Sequence, residues 1–245
     1  MTLHPLIQEV GQSHPKQLSA GEFFAPVTSH PFVINQWLAE SKVPMVVVTP
    51  SSRQAEEIAG ACKELNSLIE VIEFPSWETL PHERLSPAAE TVGRRLKALN
   101  RMLQLKAESK PYLVLMSVRA ALQPVLGGLE GHPPILISRG NEYLLPELAL
   151  KLIEIGYQRV DMVVKRGEFA IRGGILDVFP TTSEHALRLE FFGDELEDVR
   201  EFSVADQRSI DSQVDHLDIY PARELLITPQ VALRAREMVH EFPNL

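Results

Sequence analysis

The chain has 245 residues, 44% of them hydrophobic and 23% charged, and a formal net charge of -9. That is enough apolar mass for one large or two small cored domains, and too much for a disordered chain. A single cysteine, Cys62, excludes an intramolecular disulfide framework and fits a reducing cytoplasm. The sequence shows neither a charged-then-apolar leader nor an apolar run of membrane-spanning length.

The residues through about Gly21 mix Pro, His, Gln and Ser and predict a short helix or a loose lead-in. From His30 the pattern sharpens. FVINQWLAE predicts a helix, MVVVT a buried strand, and SSRQAEEIAGACKEL a helix opened by serine caps, with Cys62 as a small core residue. IEVIEF predicts a second strand and PSWETLPHERLSP a proline-punctuated loop. AAETVGRRLKALNRMLQL then places Val92, Leu96, Leu99 and Leu103 on one helical face, and YLVLMS predicts a third strand. Short apolar strands alternating with amphipathic helices predict a parallel α/β sheet covered on both faces. After the Gly127-Gly128, Gly131 and Pro133-Pro134 break, ILIS reads as one last strand of that sheet.

Residues 144–156 predict a helix started near Pro146 and stopped by Gly156, and beyond it the apolar period switches to two. The switch marks a second, smaller α+β domain with an antiparallel sheet. Three segments follow: an α/β domain over residues 1–140, the α+β domain over 141–217, and the truncated start of a following domain over 218–245. Gly193-Asp194 predicts a hairpin turn, and Thr228-Pro229 the cap and first residue of a helix through VALRAREMVHEF. Charge follows the same division. Residues 1–140 carry 13 basic and 13 acidic side chains, residues 141–217 carry 8 and 16, and residues 218–245 carry 3 and 4. The acidic middle block would repel a phosphate backbone, so composition points it toward a protein partner with a basic patch.

Catalytic motifs do not emerge. Neither GxxxxGK[ST] nor GxGxxG occurs, so nothing in the sequence is built to cradle phosphates or hold magnesium, and no cofactor is expected. The eight histidines are scattered without HExxH, there is no GxSxG, and Cys62 has no histidine near it in sequence. No catalytic or metal residue is therefore expected. Glu190, Asp194, Glu195, Glu197 and Asp198 crowd one hairpin; a solvated acidic turn is the expectation and a divalent-ion site the alternative. Trp77, beside Pro75 and Leu80, is expected to pack over a loop, with base stacking as the alternative. Arg94, Arg95, Lys97, Arg101 and Lys106 read as a basic, solvated helical face, with weak nucleic-acid contact as the other reading.

The stretch from Arg166 to Arg208 carries the most information. In LRLEFF, Leu187, Leu189 and Phe191 share one parity, and Arg188, Glu190 and Phe192 share the other, so a strand points the first set to the core and the second outward. Two readings of the outward set stand side by side. In one, Phe192 lies under a loop and Arg188 pairs with Glu190 or a cross-strand acid. In the other, the two form an interface hot spot, joined by Arg172 if its strand is a neighbour.

GEFAIRGGILDVFP, LRLEFFGDELEDVREF and IYPARELLITP resemble the second domain of the excision-repair protein UvrB, and still more the N-terminal module of the bacterial transcription-repair coupling factors (Mfd). FPSWETLPHERLSP followed by ETVGRRLKAL favours the coupling factors, and the likeness runs from about residue 20 to the end. The resemblance implies a helicase-like first domain without an ATP site, since SAGEFFAPVTSHPF lacks the glycine pair and lysine of the UvrB loop. It also implies no DNA-gripping hairpin, because PSWETLPHERLSPAAE is too short for one.

The function implied is that of a non-catalytic, cytoplasmic adaptor that recruits UvrA. The residues carried over for that contact are Arg172 of AIRGG, and Arg188 and Phe192 of LRLEFF. RNA polymerase and DNA would be met by other domains of the full-length protein, where a C-terminal domain covers the UvrA surface and where the ATP-driven motor lies. Replacing Arg188 or Phe192 by alanine is expected to weaken UvrA binding without unfolding the domain. The alternatives are a fragment of a UvrB-like ATP-dependent helicase, and a packing scaffold with no external partner.

Overall fold

The computed structural model describes residues 24–80, 83, 85–125, 133–239 and 241. The lead-in through Gly21 and the Gly127 to Gly131 break lie outside the described residues. Two compact units are present, Met1–Pro87 with Lys97–Val125, and Ala88–Leu96 with Leu126–Leu245. Among the described residues no helix is long and apolar enough to cross a membrane.

The first unit is a three-stranded parallel sheet with helices. Helix α1 (His30–Ser41) has Pro31 in its first turn, where the missing N–H has no partner to lose. Strand β1 (Met45–Thr49) follows, then α2 (Ser52–Leu65), whose N-cap Ser51 hydroxyl accepts the Gln54 N–H at 3.3 Å, so the serine cap forms as expected. Strands β2 (Val71–Phe74) and β3 (Leu113–Ser117) complete the sheet, in the order β1-β3-β2. Between them runs α3 (Ala89–Ala107), and the short α4 (Val118–Leu122) leaves β3 directly.

Alternation along β3 explains the layering. Leu113 and Leu115 enter a cluster with Ile34, Leu38, Ile58, Ala59 and Cys62 of α1 and α2. Val114 and Met116 enter another with Ile72, Phe74, Ala98, Leu105 and Ala120. Each fully buried aliphatic side chain here contributes about 1.5–3 kcal/mol by leaving water, and Leu115→Ala would cost about 2–5 kcal/mol. Cover on both faces holds at β3 but not at β1, where Val46 and Val48 are 58% and 49% exposed. The loop after β2 is held by α4 and the residue after it. The Gln123 carboxamide accepts the Trp77 N–H at 2.7 Å and donates to the Trp77 carbonyl at 3.3 Å, and the Trp77 residue is half-buried.

The second unit is built on a six-stranded sheet ordered β10-β9-β8-β7-β6-β5. Its strands are β5 (Gln158–Arg159), β6 (Glu168–Arg172), β7 (Ile175–Val178), β8 (Ala186–Phe192), β9 (Glu195–Phe202) and β10 (Ser209–Gln213). All neighbours are antiparallel except β5 and β6. Helix α5 (Leu145–Glu154) begins with Pro146 in its first turn and ends before Gly156 at φ 90, as its sequence predicts.

ILIS does not join the parallel sheet. As β4 (Ile135–Ser138) it pairs antiparallel with β11 (His216–Ile219) and belongs to the second unit. The correction has a physical cause: an apolar four-residue run carries no information about which sheet takes it, and here β11 offers the alternating Leu217 and Ile219 to bury with Ile137. These side chains, with Leu148 and Leu152 of α5, cover Phe169, Leu176, Val178, Leu187, Leu189, Leu196 and Val199 of the large sheet. Leu196 and Val199 are three apart yet face the same core, because the β8/β9 register shifts after Glu190 and inserts one extra residue on β9. The final helix, α6 (Pro229–Met238), starts with the Thr228 hydroxyl accepting the Val231 N–H at 3.2 Å.

Helix α3 starts in the second unit and ends in the first. Gly93 on its early turns lies against Thr181; a Cβ there would stand 2.2 Å from the threonine hydroxyl. Arg95 corrects the reading of a basic solvated face. It is fully buried, and its Nε donates to Glu224 at 2.6 Å. Arg101 likewise pairs with Glu70 at 2.9 Å, and the Arg101 pair holds the Glu70 carboxyl below its ordinary range. Arg94, Lys97 and Lys106 are the exposed cations of the five.

Candidate partner-docking face

The large sheet has one face sealed by α5 and the β4/β11 ribbon and a second face that is only partly apolar. On that second face Val163, Ala170, Phe179, Ala186 and Phe202 form a small cluster. Beyond it the side chains are charged or exposed. Register places them in cross-strand rows: Ala170, Asp177, Arg188 and Arg200 in one, Arg172, Ile175, Glu190 and Asp198 in the next, and Phe192 opposite Glu195 at the hairpin end. Successive rows on one face are i and i+2 along each strand.

Phe192 is the conspicuous member. It ends β8 just before Gly193, whose φ of 63 makes the hairpin turn, and it is 75% exposed. A phenylalanine in water at a strand end loses the hydrophobic contribution of about 1.5–3 kcal/mol that burial would bring. The reading in which Phe192 lies under a loop does not hold. The backbone beside it is tightly fixed: the Phe191 N–H donates to the Gly174 carbonyl at 2.8 Å, and a Cβ on Gly174 would stand 2.9 Å from the Phe191 carbonyl oxygen. The Gly173-Gly174 turn is therefore flush against the strand that presents Phe192.

Arg188 is anchored within its own sheet. Its Nε donates to Asp177 Oδ1 at 2.7 Å and its Nη2 to Oδ2 at 3.0 Å, a bidentate pair across the β7/β8 register. The guanidinium also lies over the Phe202 ring, 4.9 Å from its centroid. The Asp177 hydrogen bond raises the Arg188 pKa further above its ordinary value. The cross-strand acid expected for Arg188 is thus Asp177, and not Glu190.

Arg172 is exposed at the end of β6, and its Nη2 donates to the Asp161 carbonyl at 2.6 Å. One strand, β7, separates β6 from β8, so Arg172 stands about 10 Å across the sheet from Glu190. The structure therefore brings Arg172, Arg188 and Phe192 to one face with Glu190 between them. Arg200, on β9, adds a third arginine and donates to Asp198.

Asp177 is the residue that sequence reasoning passed over. The signal was present: in GILDVFP an acid sits inside an apolar strand, and a buried carboxylate without a cationic partner is rare. Around the face Glu190, Asp194, Glu195, Glu197 and Asp198 keep the rim acidic. Among the described residues no group of three or more His, Cys, Asp or Glu side chains is arranged to hold a metal ion.

Residues 135–225 match the UvrB interaction domain. Across 248 aligned residues the chain is 41% identical to a Mycobacterium bovis protein named transcription-repair-coupling factor, covering 99% of this chain and 19% of the relative. The proteins of that name from Bacillus subtilis and Escherichia coli are 35% and 32% identical, over 82% and 74% of this chain and 17% and 15% of theirs. The chain spans about a fifth or less of the length of these curated relatives. On these matches the chain carries the N-terminal, UvrB-like module of the transcription-repair-coupling-factor family.

Proposed function

We propose that the chain is a non-catalytic adaptor of transcription-coupled excision repair that binds UvrA through the β6–β9 face. Arg172, Arg188 and Phe192 form the contact. The observation that carries the reading is Phe192, 75% exposed and on the same face as Arg172 and Arg188 of a sheet that lies within the matched UvrB interaction domain. Aromatic and arginine side chains dominate interface hot spots because they combine large contact area with fixed geometry. Phe192 fills an apolar recess, the arginines meet carboxylates, and the acidic rim speeds encounter with a basic patch, so binding weakens as salt rises.

In this reading the UvrA-binding domain comprises residues 141–217 with the β4/β11 ribbon that packs on its sheet, the parallel-sheet unit is a helicase-like α/β support without an ATP site, and the residues beyond the matched 135–225 open the next domain. The chain needs no cofactor and acts in the cytoplasm. RNA polymerase and DNA are engaged by parts of the longer relatives that this chain does not span. Calorimetric titration of purified UvrA into the 245-residue chain tests the proposal, at two salt concentrations and beside Phe192→Ala. Salt-sensitive binding lost in the variant is the expected result; no binding by the unaltered chain would overturn it.

A further inference from the structure

We propose that Asp177 is a positioning residue for partner recognition: it fixes Arg188 so that the Nη1–Nη2 edge of the guanidinium remains to take a partner carboxylate end-on. The inference rests on the reading of the β6–β9 face as the UvrA-docking surface.

An arginine guanidinium is a planar fork with five N–H donors and two edges that each match a carboxylate. In Arg188 the Nε–Nη2 edge is occupied by Asp177 at 2.7 and 3.0 Å. One flat face is occupied by Phe202, which is itself fully buried. Among the described residues no hydrogen bond takes the opposite edge, which keeps both hydrogens of Nη1 and the second of Nη2. The side chain retains 20% of its exposure, against 4% for Asp177, so the inner partner is closed to solvent while the outer group stays open. Holding the fork in place before binding removes the rotamer entropy that a free arginine would lose on docking.

Charge divides the labour further. Arg188 and Asp177 nearly cancel, and Arg200 is paired with Asp198. Arg172 donates to a backbone carbonyl and has no ion pair among the described residues. Long-range attraction of a partner carboxylate therefore falls to Arg172, and short-range, directional capture to Arg188. UvrA fitting this face presents one carboxylate end-on to Arg188 and an apolar recess to Phe192.

The test is a mutant cycle read by UvrA affinity: the unaltered chain, Asp177→Asn, Arg188→Ala and the double variant, with Phe192→Ala as the control for the face. Asp177→Asn keeps the shape and removes the charge, and is expected to raise Kd about tenfold. In the Arg188→Ala background the same change is expected to move Kd less than about twofold, because the residue it positions is gone. Unchanged affinity in Asp177→Asn, or an equal loss in both backgrounds, overturns the inference while leaving the docking reading in place. No binding by the unaltered chain sinks the docking reading itself. Should a variant not fold, nitrogen-15 spectra of the unaltered chain decide: an Arg188 Nε–H that exchanges slowly with solvent and shifts when UvrA is added supports the inference. One that exchanges as fast as that of the exposed Arg94 overturns it.

Discussion

Asp177 and Arg188 are register partners on β7 and β8, joined by hydrogen bonds of 2.7 and 3.0 Å, and only 3% of Asp177 is exposed. A docking residue is thereby also a structural one. Truncating Arg188 leaves a buried carboxylate with no cation, which costs about 3–5 kcal/mol where the partner is well buried. Arg188→Ala is therefore expected to lower the urea midpoint of the second unit markedly, contrary to the sequence-based expectation that it leaves the fold untouched. Adding Asp177→Leu to an Arg188→Met chain is expected to restore most of the loss, since an apolar pair of similar size removes the orphaned charge. A midpoint for Arg188→Ala equal to that of the unaltered chain would sink this account.

Phe192 behaves in the opposite way. At 75% exposure its ring contributes little to the fold, yet a hot-spot aromatic contributes about 2 kcal/mol or more to binding. Phe192→Ala is expected to leave thermal unfolding within about 0.5 kcal/mol of the unaltered chain and to weaken UvrA binding about thirtyfold or more. Calorimetry and a melting curve on one preparation separate the two effects, and a variant that unfolds early without losing affinity contradicts the assignment.

The outward parity of Arg188, Glu190 and Phe192 was legible because β-strand alternation is rigid, and the Ser51 and Thr228 caps were legible because a hydroxyl before an amphipathic run has one common use. The partner of Arg188 was not, because register across β7 and β8 is set by the sheet and not by either strand alone. The assignment of Ile135–Ser138 failed for the same reason, its true partner β11 lying some 80 residues along the chain. Arg95 misled in another way. Its charge reads as solvent-facing, whereas the helix turn it occupies also holds Val92 and Leu96 in the core, and Glu224, far off in sequence, supplies the counter-charge. Exposure of Phe192 needed the structure, since parity tells which side a residue takes and not whether anything covers it.

Gly93 is expected to be intolerant of alanine for a reason of space. At Gly93 the new Cβ would sit 2.2 Å from Thr181 Oγ1 and 2.4 Å from its Cβ, and Thr181 is fully buried and donates to the Tyr220 carbonyl at 3.2 Å, so it cannot step aside. Overpacking of this kind costs about 1–3 kcal/mol. Gly60, with nothing within 4 Å of its Cβ position, is the matched control on another helix, where Gly→Ala is expected to stabilise by about 0.4–1 kcal/mol. Denaturant midpoints of Gly93→Ala and Gly60→Ala should therefore move in opposite directions; equal shifts would refute the packing argument.

Alkaline pH is expected to weaken the first unit through Cys62. The residue is fully buried on α2, and burial pushes its thiol from 9.0 up to about 11. In the unfolded chain the thiol loses its proton near 9.0, while the folded chain keeps it, so above that pH the unfolded state binds fewer protons and stability falls as pH rises. The loss approaches about 1.4 kcal/mol per pH unit and totals about 3 kcal/mol once the folded thiol also ionises near pH 11, with no contribution below the unfolded value. Tyr157, buried in the second unit and pushed above its ordinary 10.0, acts with the same sign, but only at higher pH. Cys62→Ala should therefore flatten the stability of the chain between about pH 9 and 10 while leaving the steeper decline above it. Urea midpoints for both chains across that interval check the claim, and a decline of the same slope in the alanine variant would assign the alkaline sensitivity to another group.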